Sequence, residues 1–173
     1  MGTDKALLCL GGATLLRRAV DVLARVTPRV VLASGTRTRP GGLECVLDEI
    51  ESAGPLAGLA AVLARVERER VAYACVLACD MPRVDATLFR RLLRLVRETN
   101  TEAALAATPD GDEPLCAVYH VRALPTVRRA LARGDRRMNA FHEDIAVARL
   151  ALPRASLHNL NTREDFLAAG GSP

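Results

Sequence analysis

The sequence predicts an α/β fold in which helices cover both faces of a mainly parallel sheet. Short aliphatic runs alternate along the chain with amphipathic segments of helical period, a pattern typical of parallel strands joined by crossover helices. The composition is 50% hydrophobic but only 3% aromatic, so the core must be built mainly of aliphatic side chains. We expect the 173 residues to form a single domain.

Hydrophobic period and turn residues place the boundaries of the predicted elements. Strands are predicted at 29–34, 43–47, 71–79, 102–108, 114–119 and 145–152. Helices are predicted at 14–26, 55–68, 84–97, 121–133 and 136–143, with a closing helix from Thr162. Pro55 opens the second helix, at a position where the N–H that proline lacks has no intrahelical partner.

Composition and charge argue against two classes of partner. The longest apolar run, 71–79, is too short to span a bilayer, and the N-terminus lacks the layout of a signal peptide, so we expect a cytoplasmic protein without a membrane partner. The net charge is +4 and the pI is about 9.1. However, the arginines are dispersed among acidic residues and aromatic side chains for base stacking are nearly absent, which argues against a nucleic-acid binder.

Lys5 is the only lysine among the 24 basic residues. In a chain so biased towards arginine, a retained lysine indicates a position that needs a compact ammonium on a flexible stem. The alternative is chance retention in a solvated N-terminal segment. Lys5 stands shortly before Gly11-Gly12, and a lysine beside a tight glycine turn could reach nucleotide phosphates.

Asp80 directly follows the most apolar predicted strand and precedes Pro82, which restricts the backbone that presents the carboxylate. In open α/β sheets ligands bind at the carboxyl ends of the strands, and Mg²⁺ is bound in proteins through one or two carboxylates. Asp80 is therefore a candidate metal ligand. The alternative is that it caps the helix predicted to begin near Val84.

Asp48 ends another predicted strand, six residues before the segment Gly54-Pro55-Leu56-Ala57-Gly58. A glycine at each end of this segment allows close approach of the backbone to a ligand, and the helix start presents free N–H groups. The alternative for Asp48 is a solvated loop charge.

Five motifs together resemble the molybdenum cofactor guanylyltransferases, the MobA-like proteins, over nearly the whole chain. In order they are Gly2-x-Asp4-Lys5, Gly54-Pro55-Leu56-Ala57-Gly58, Cys79-Asp80-Met81-Pro82, Gly134-Asp135-Arg136-Arg137 and Asn159-Leu160-Asn161-Thr162. The resemblance implies a Rossmann-like nucleotidyltransferase fold that joins GMP from GTP to molybdopterin, with Mg²⁺ as cofactor and pyrophosphate as by-product. It also points to molybdoenzymes or their chaperones as protein partners.

The resemblance implies a role for each matching residue. Lys5 is the phosphate-binding lysine, Asp48 a GTP contact, and Asp80 the Mg²⁺ ligand; Lys5 and Asp80 are the expected catalytic residues. The expected binding residues are Gly2, Lys5, Asp48, Gly54, Pro55, Leu56, Asp80, Arg136, Asn159 and Asn161. Arg136, Asn159 and Asn161 match positions on the molybdopterin side. We expect a GTP-binding part at about 1–108 and a molybdopterin-binding part at about 109–173.

The chain departs from the family pattern in two places. The family has a strand and a Leu-Ala-Gly-Gly loop ahead of the segment that matches Met1–Lys5, so we expect this form to lack its first strand and glycine-rich loop. By usual element lengths, the reading frame would then start roughly 15–25 residues upstream. The family often has an asparagine after its second strand, where this chain has Ala33 and Ser34.

Two other functions remain open at the level of sequence. One is a related nucleotidyltransferase that uses CTP or a sugar phosphate, because only the resemblance favours guanine. The other is a non-catalytic relative, such as an assembly partner in cofactor maturation.

Overall fold

The computed structural model describes residues 4–35, 42–48, 54–157 and 159–171. Within these ranges the strands are β1 (Cys9–Leu10), β2 (Ala13–Thr14), β3 (Leu32–Ala33), β4 (Cys45–Val46), β5 (Tyr73–Leu77), β6 (Ala103–Thr108), β7 (Gly111–His120) and β8 (Val147–Ala151). The α-helices are α1 (Leu15–Ala24), α2 (Pro55–Arg68), α3 (Ala86–Glu98), α4 (Leu124–Ala132) and α5 (Arg163–Ala168).

The main sheet has four strands in the order β5-β7-β6-β8. β8 runs parallel to β6, whereas β7 is antiparallel to both of its neighbours. Three of the four strands therefore run in one direction, as predicted, and β7 is reversed. β3 and β4 form a separate parallel pair, and β1 and β2 form a hairpin.

The reversal of β7 follows from its connection to β6. Only Pro109 and Asp110 separate Thr108 from its partner Gly111, and a two-residue connection can join only antiparallel strands. The prediction of two separate strands at 102–108 and 114–119 missed this hairpin. β7 also begins earlier than predicted, at Gly111.

Helices pack on both faces of the sheet, which confirms the predicted α/β layering. One core cluster joins Leu56, Leu59 and Leu63 of α2 to α4 and to alternate residues of β6 and β7. The other cluster joins α3 to the opposite set of strand residues, with α1 packed against it. The alanine-rich β6 is buried on both faces because adjacent side chains on a strand point in opposite directions.

The helix predicted at 136–143 is wrong. The backbone there makes successive three-residue turns, Ala140 to Arg137 and His142 to Asn139, followed by a 3₁₀ turn at His142–Asp144. Met138 and Phe141 are buried nonetheless, so the apolar residues that suggested a helical face enter the core from turns. The strands predicted at 29–34 and 43–47 exist but are reduced to two residues each.

In the part of the chain that the structure describes, the helices are all too short or too polar to cross a bilayer.

A buried polar contact connects the turn segment to the sheet. The Tyr119 hydroxyl donates to the Pro114 carbonyl at 2.9 Å, which leaves the hydroxyl oxygen to accept from His142 Nε2 at 3.3 Å. Burial lowers the pKa of His142; the charge of Asp112 opposes this shift and that of Arg149 adds to it. The neutral imidazole is therefore the form that fits the folded protein.

His142 should make folding stability depend on pH. Its pKa is lowered by folding, so its contribution is complete above the unfolded value near 6.5 and is lost as the pH falls towards the folded value. The loss should not exceed about 1.4 kcal/mol per pH unit. His142→Gln keeps an N–H for Tyr119 and should flatten this dependence in urea unfolding between about pH 7.5 and 5. An unchanged slope would show that the imidazole already protonates freely in the native state.

Candidate active site

Asp80 lies just past the carboxyl end of β5, as predicted. It does not cap the next helix, because Asp85 is the N-cap of α3 and accepts from the Leu88 N–H at 2.9 Å. Within the described residues the Asp80 carboxylate has neither a hydrogen bond nor an ion pair. Its backbone carbonyl accepts from the Leu160 N–H at 2.9 Å. The carboxylate is therefore available to a ligand.

Lys5 reaches the same place from the other end of the chain. It begins a 3₁₀ turn, Lys5–Leu7, which Asp4 caps by accepting from the Ala6 N–H. The Lys5 ammonium donates to the Leu160 carbonyl at 3.3 Å, across 155 residues of sequence. Leu160 thus hydrogen-bonds to Asp80 through its N–H and to Lys5 through its carbonyl, and brings the two predicted catalytic residues together.

The Asn159-Leu160-Asn161-Thr162 motif is held at both ends. The Leu160 side chain is 2% exposed and packs with Leu10, Leu15 and Phe166. Thr162 caps α5 in a reciprocal capping box with Asp165. The Asn161 N–H also donates to the Asp165 carboxylate, while the Asn161 side chain is exposed. The motif therefore has a structural role that leaves Asn161 open to solvent.

Asn159 points towards β7. Its Nδ2 donates to Glu113 Oε1 at 3.5 Å, and its Oδ1 is buried without a hydrogen-bond partner among the described residues. Burial raises the pKa of Glu113; the Asn159 contact opposes that shift, and the Asp80 charge raises the pKa further. Sequence reasoning missed Glu113, although a carboxylate directly before a proline in a strand was a usable signal.

The donor groups around Asp80 fit a magnesium ion. Asp80 and Glu113 offer carboxylates, and the orphaned Asn159 Oδ1 offers a neutral oxygen, which are the ligands that hard cations prefer. Among the described residues no group of three or more His, Cys, Asp or Glu could form a cage made wholly of protein ligands. Mg²⁺ usually keeps several waters and substrate oxygens, so it does not need such a cage.

Asp48 forms a second site with an unsatisfied acceptor. Its N–H donates to the Gly35 carbonyl at 2.8 Å, and its Oδ1 is buried without a hydrogen-bond partner in the described structure. Burial raises the pKa of Asp48. A Cβ on Gly58 would lie 3.2 Å from the Ala33 Cβ and 3.5 Å from Asp48 Oδ1, so the second glycine of the motif lets α2 approach Asp48 closely.

The first glycine of that motif meets another predicted site residue. Gly54 has φ +73° and precedes Pro55 as the N-cap of α2 without a side-chain cap. A Cβ on Gly54 would lie 3.2 Å from the carbonyl oxygen of Arg136. The structure therefore brings the start of α2 against the Gly134–Arg137 segment, with Arg136 exposed.

The Leu56 side chain is fully buried in the α2 core cluster, so only its backbone could contact a nucleotide. Gly2 lies outside the described residues.

Two curated proteins are similar to this chain in sequence over nearly its whole length. The chain is 39% identical to a protein of Opitutus terrae named probable molybdenum cofactor guanylyltransferase, over 95% of this chain and 86% of that one. It is 34% identical to the molybdenum cofactor guanylyltransferase of Serratia proteamaculans, over 96% of this chain and 85% of that one.

Solved structures match the fold. Molybdopterin-guanine dinucleotide biosynthesis protein A of Archaeoglobus fulgidus superposes with a TM-score of 0.75 at 22% identity, covering 97% of this chain and 89% of that one. Rv0371c of Mycobacterium tuberculosis in complex with manganese has a TM-score of 0.66 at 19% identity, with 95% and 90% covered. These structures confirm the predicted nucleotidyltransferase fold.

The family model of the MobA-like NTP transferase domain matches residues 1–149. With most of the chain matched and relatives above 30% identity over nearly its full length, the protein belongs to the MobA-like NTP transferase domain family.

Proposed function

We propose that this protein transfers GMP from GTP to the phosphate of molybdopterin and releases pyrophosphate. The observation that carries the proposal is the convergence of Lys5 and Asp80 on the backbone of Leu160, with the Asp80 carboxylate unpaired among the described residues. Phosphoryl-type transfer needs charge neutralisation and in-line positioning rather than a covalent enzyme intermediate. An ammonium and a carboxylate that can hold a metal ion, on residues that both hydrogen-bond to Leu160, meet that need.

We assign the residues to two sides of the site. The GTP side lies at about 1–108 and includes Gly2, Lys5, Asp48, Asp80 and the backbone of Gly54–Leu56. The molybdopterin side lies at about 109–173 and includes Arg136, Asn159 and Asn161. Gly54 on the GTP side lies close to Arg136 on the molybdopterin side. This proximity supports binding of the two substrates next to each other. Molybdoenzymes or their chaperones are the proposed recipients of the product.

In the proposed reaction an oxygen of the molybdopterin phosphate attacks the α-phosphorus of GTP and the bond to pyrophosphate breaks. The attacking phosphate is already ionised, so no side chain needs to remove a proton. Lys5 neutralises negative charge on the leaving group. The N–H groups at the start of α2 are positioned to bind phosphate or a base edge. Mg²⁺ held by Asp80 would supply further electrostatic stabilisation of the phosphate oxygens.

The orphaned Asp48 Oδ1 supports guanine as the base. Guanine presents two neighbouring donors, N1–H and the 2-amino group, which together match a carboxylate that only accepts. A buried acceptor left without a donor costs about 1–3 kcal/mol, so a base that supplies donors there gains specificity. The mycobacterial relative's complex with manganese supports a divalent metal.

Asp80→Asn should lower metal-dependent transfer at least about 100-fold, because the side chain keeps its shape and loses its charge. Pyrophosphate release in the presence of GTP, Mg²⁺ and molybdopterin measures the effect. Asp85→Asn is the matched control, since asparagine remains a good N-cap and the charge change is the same. Transfer by Asp80→Asn within twofold of the parent would remove Asp80 from the site.

Asp48→Asn should reduce the preference of the protein for guanine over other bases. The parent should prefer GTP over inosine triphosphate, which lacks the 2-amino group, by roughly 10- to 100-fold, as expected for a hydrogen bond to a charged group. The variant should lose most of that preference, measured as the ratio of the two kcat/KM values. Equal use of both nucleotides by the parent, or effective competition by CTP, would contradict the guanine assignment.

A further inference from the structure

The sheet is irregular beside Asp80. β6 pairs with β7 at Leu105 and Ala117, but the next pair is Ala106 with Glu113, so three residues of β7 are unmatched at this point. One of the three is Pro114, which cannot donate to the ladder. Such bulges are common beside active sites because they redirect a side chain. Here Glu113 is the paired residue directly before the three unmatched ones, so the irregularity affects the position of its side chain.

The end of the β5–β7 pairing and the Asn159–Leu160 segment bring Glu113 near Asp80. Leu77 pairs with Cys116, and the Ala78 N–H donates to the Leu115 carbonyl. Asp80 lies two residues beyond this contact in the turn after β5, and Glu113 lies two residues beyond it on the far side of the bulge in β7. The Leu160 N–H donates to the Asp80 carbonyl and the side chain of the preceding Asn159 donates to Glu113, so one segment contacts both residues.

Two neighbouring carboxylates repel each other, which disfavours the charged form of both. Among the described residues neither Asp80 nor Glu113 forms an ion pair, and the Lys5 ammonium donates to the Leu160 carbonyl. The pair therefore lacks a cation from the described protein. A divalent ion would remove the repulsion.

A buried oxygen of Asn159 also indicates a cation at this place, independently of the two carboxylates. Its Nδ2 donates to Glu113 Oε1, and because a carboxylate only accepts, this contact fixes the orientation of the amide. The opposite amide atom, Oδ1, is then buried with no donor in the described residues. A cation next to the two carboxylates would also satisfy this oxygen.

We propose that Glu113 is a second carboxylate ligand of the divalent metal ion bound by Asp80. The same carboxylate holds the Asn159 amide so that its oxygen is available to the ion. This inference rests on the proposed function, because it adds a residue to the same site. It assigns to the irregular part of β7 a role that the sequence motifs did not indicate.

Titration of the full chain with Mn²⁺, with free Mn²⁺ measured from its EPR signal, tests the assignment without turnover. Glu113→Gln keeps an acceptor for Asn159 but removes the charge, and should weaken Mn²⁺ binding at least tenfold. Asp112→Asn is the matched control: the adjacent side chain points to the other face, where it pairs with Arg149 at 2.9 Å. Its Mn²⁺ affinity should stay within twofold of the parent.

Thermal unfolding gives a second readout that a purely structural role would not produce. Without divalent ions, Glu113→Gln should have a Tm equal to or above that of the parent, because the carboxylate repulsion is gone. Addition of Mn²⁺ should raise the Tm of the parent more than that of the variant. Parent protein that binds no Mn²⁺, or equal affinities in parent and Glu113→Gln, would overturn the proposal.

The outcomes separate this inference from the proposed function. If Glu113→Gln binds Mn²⁺ more weakly than the parent but the parent transfers no GMP, Glu113 is supported as a metal ligand and the proposed GMP transfer is contradicted. GMP transfer by the parent together with an unchanged Mn²⁺ affinity in the variant would contradict the role of Glu113 alone.

Discussion

The backbone of Leu160 connects three distant parts of the chain. Its N–H bonds to the Asp80 carbonyl past the end of β5, and its carbonyl accepts from Lys5 in the N-terminal turn. The bridge is anchored in the core, because the Leu160 side chain is buried with Leu10, Leu15 and Phe166. Both catalytic candidates therefore depend on one short C-terminal segment. This dependence explains in physical terms why the Asn159–Thr162 motif accompanies the Asp80 motif.

Two buried acceptors in the described structure have no donor, Asp48 Oδ1 and Asn159 Oδ1. An unsatisfied buried acceptor costs about 1–3 kcal/mol, and native folds tolerate few of them. Both lie where the proposed function needs a ligand: a base with two donors at Asp48 and a cation at Asn159. In the proposed function, the base would donate hydrogen bonds to Asp48 Oδ1 and the cation would coordinate Asn159 Oδ1, so the free protein gives up stability at these two positions.

Much of the fold could be predicted from the sequence because local signals agreed with tertiary packing. Pro55 marked the start of α2 at the correct residue, and the apolar run before Asp80 located β5. Asp80 was open to two interpretations, and the structure excludes one of them, because Asp85 and not Asp80 caps α3. The role of Asp80 as a metal ligand stays a prediction. The helix predicted at 136–143 was wrong because Met138 and Phe141 lie in turns that direct their side chains into the core. Their three-residue spacing is also that of a helical face.

The sequence could suggest candidate site residues only where a residue of a motif would act through its own side chain, and these assignments stay predictions. Glu113 was missed because its place depends on the hairpin and bulge of β7, which arise from pairing with two other strands. The role of Leu160 was missed because it acts through backbone atoms, which a sequence motif does not distinguish. Contacts between segments 155 residues apart could be anticipated only through resemblance to a family.

The most direct test of the central claim is a crystal structure of the protein with Mn²⁺ and a non-hydrolysable GTP analogue, using anomalous scattering to locate the metal. We expect an anomalous peak at coordination distance from the Asp80 carboxylate, and the Lys5 ammonium within hydrogen-bond distance of a phosphate oxygen of the analogue. A metal ion bound to the nucleotide alone, away from Asp80, with Lys5 directed into solvent, would contradict it.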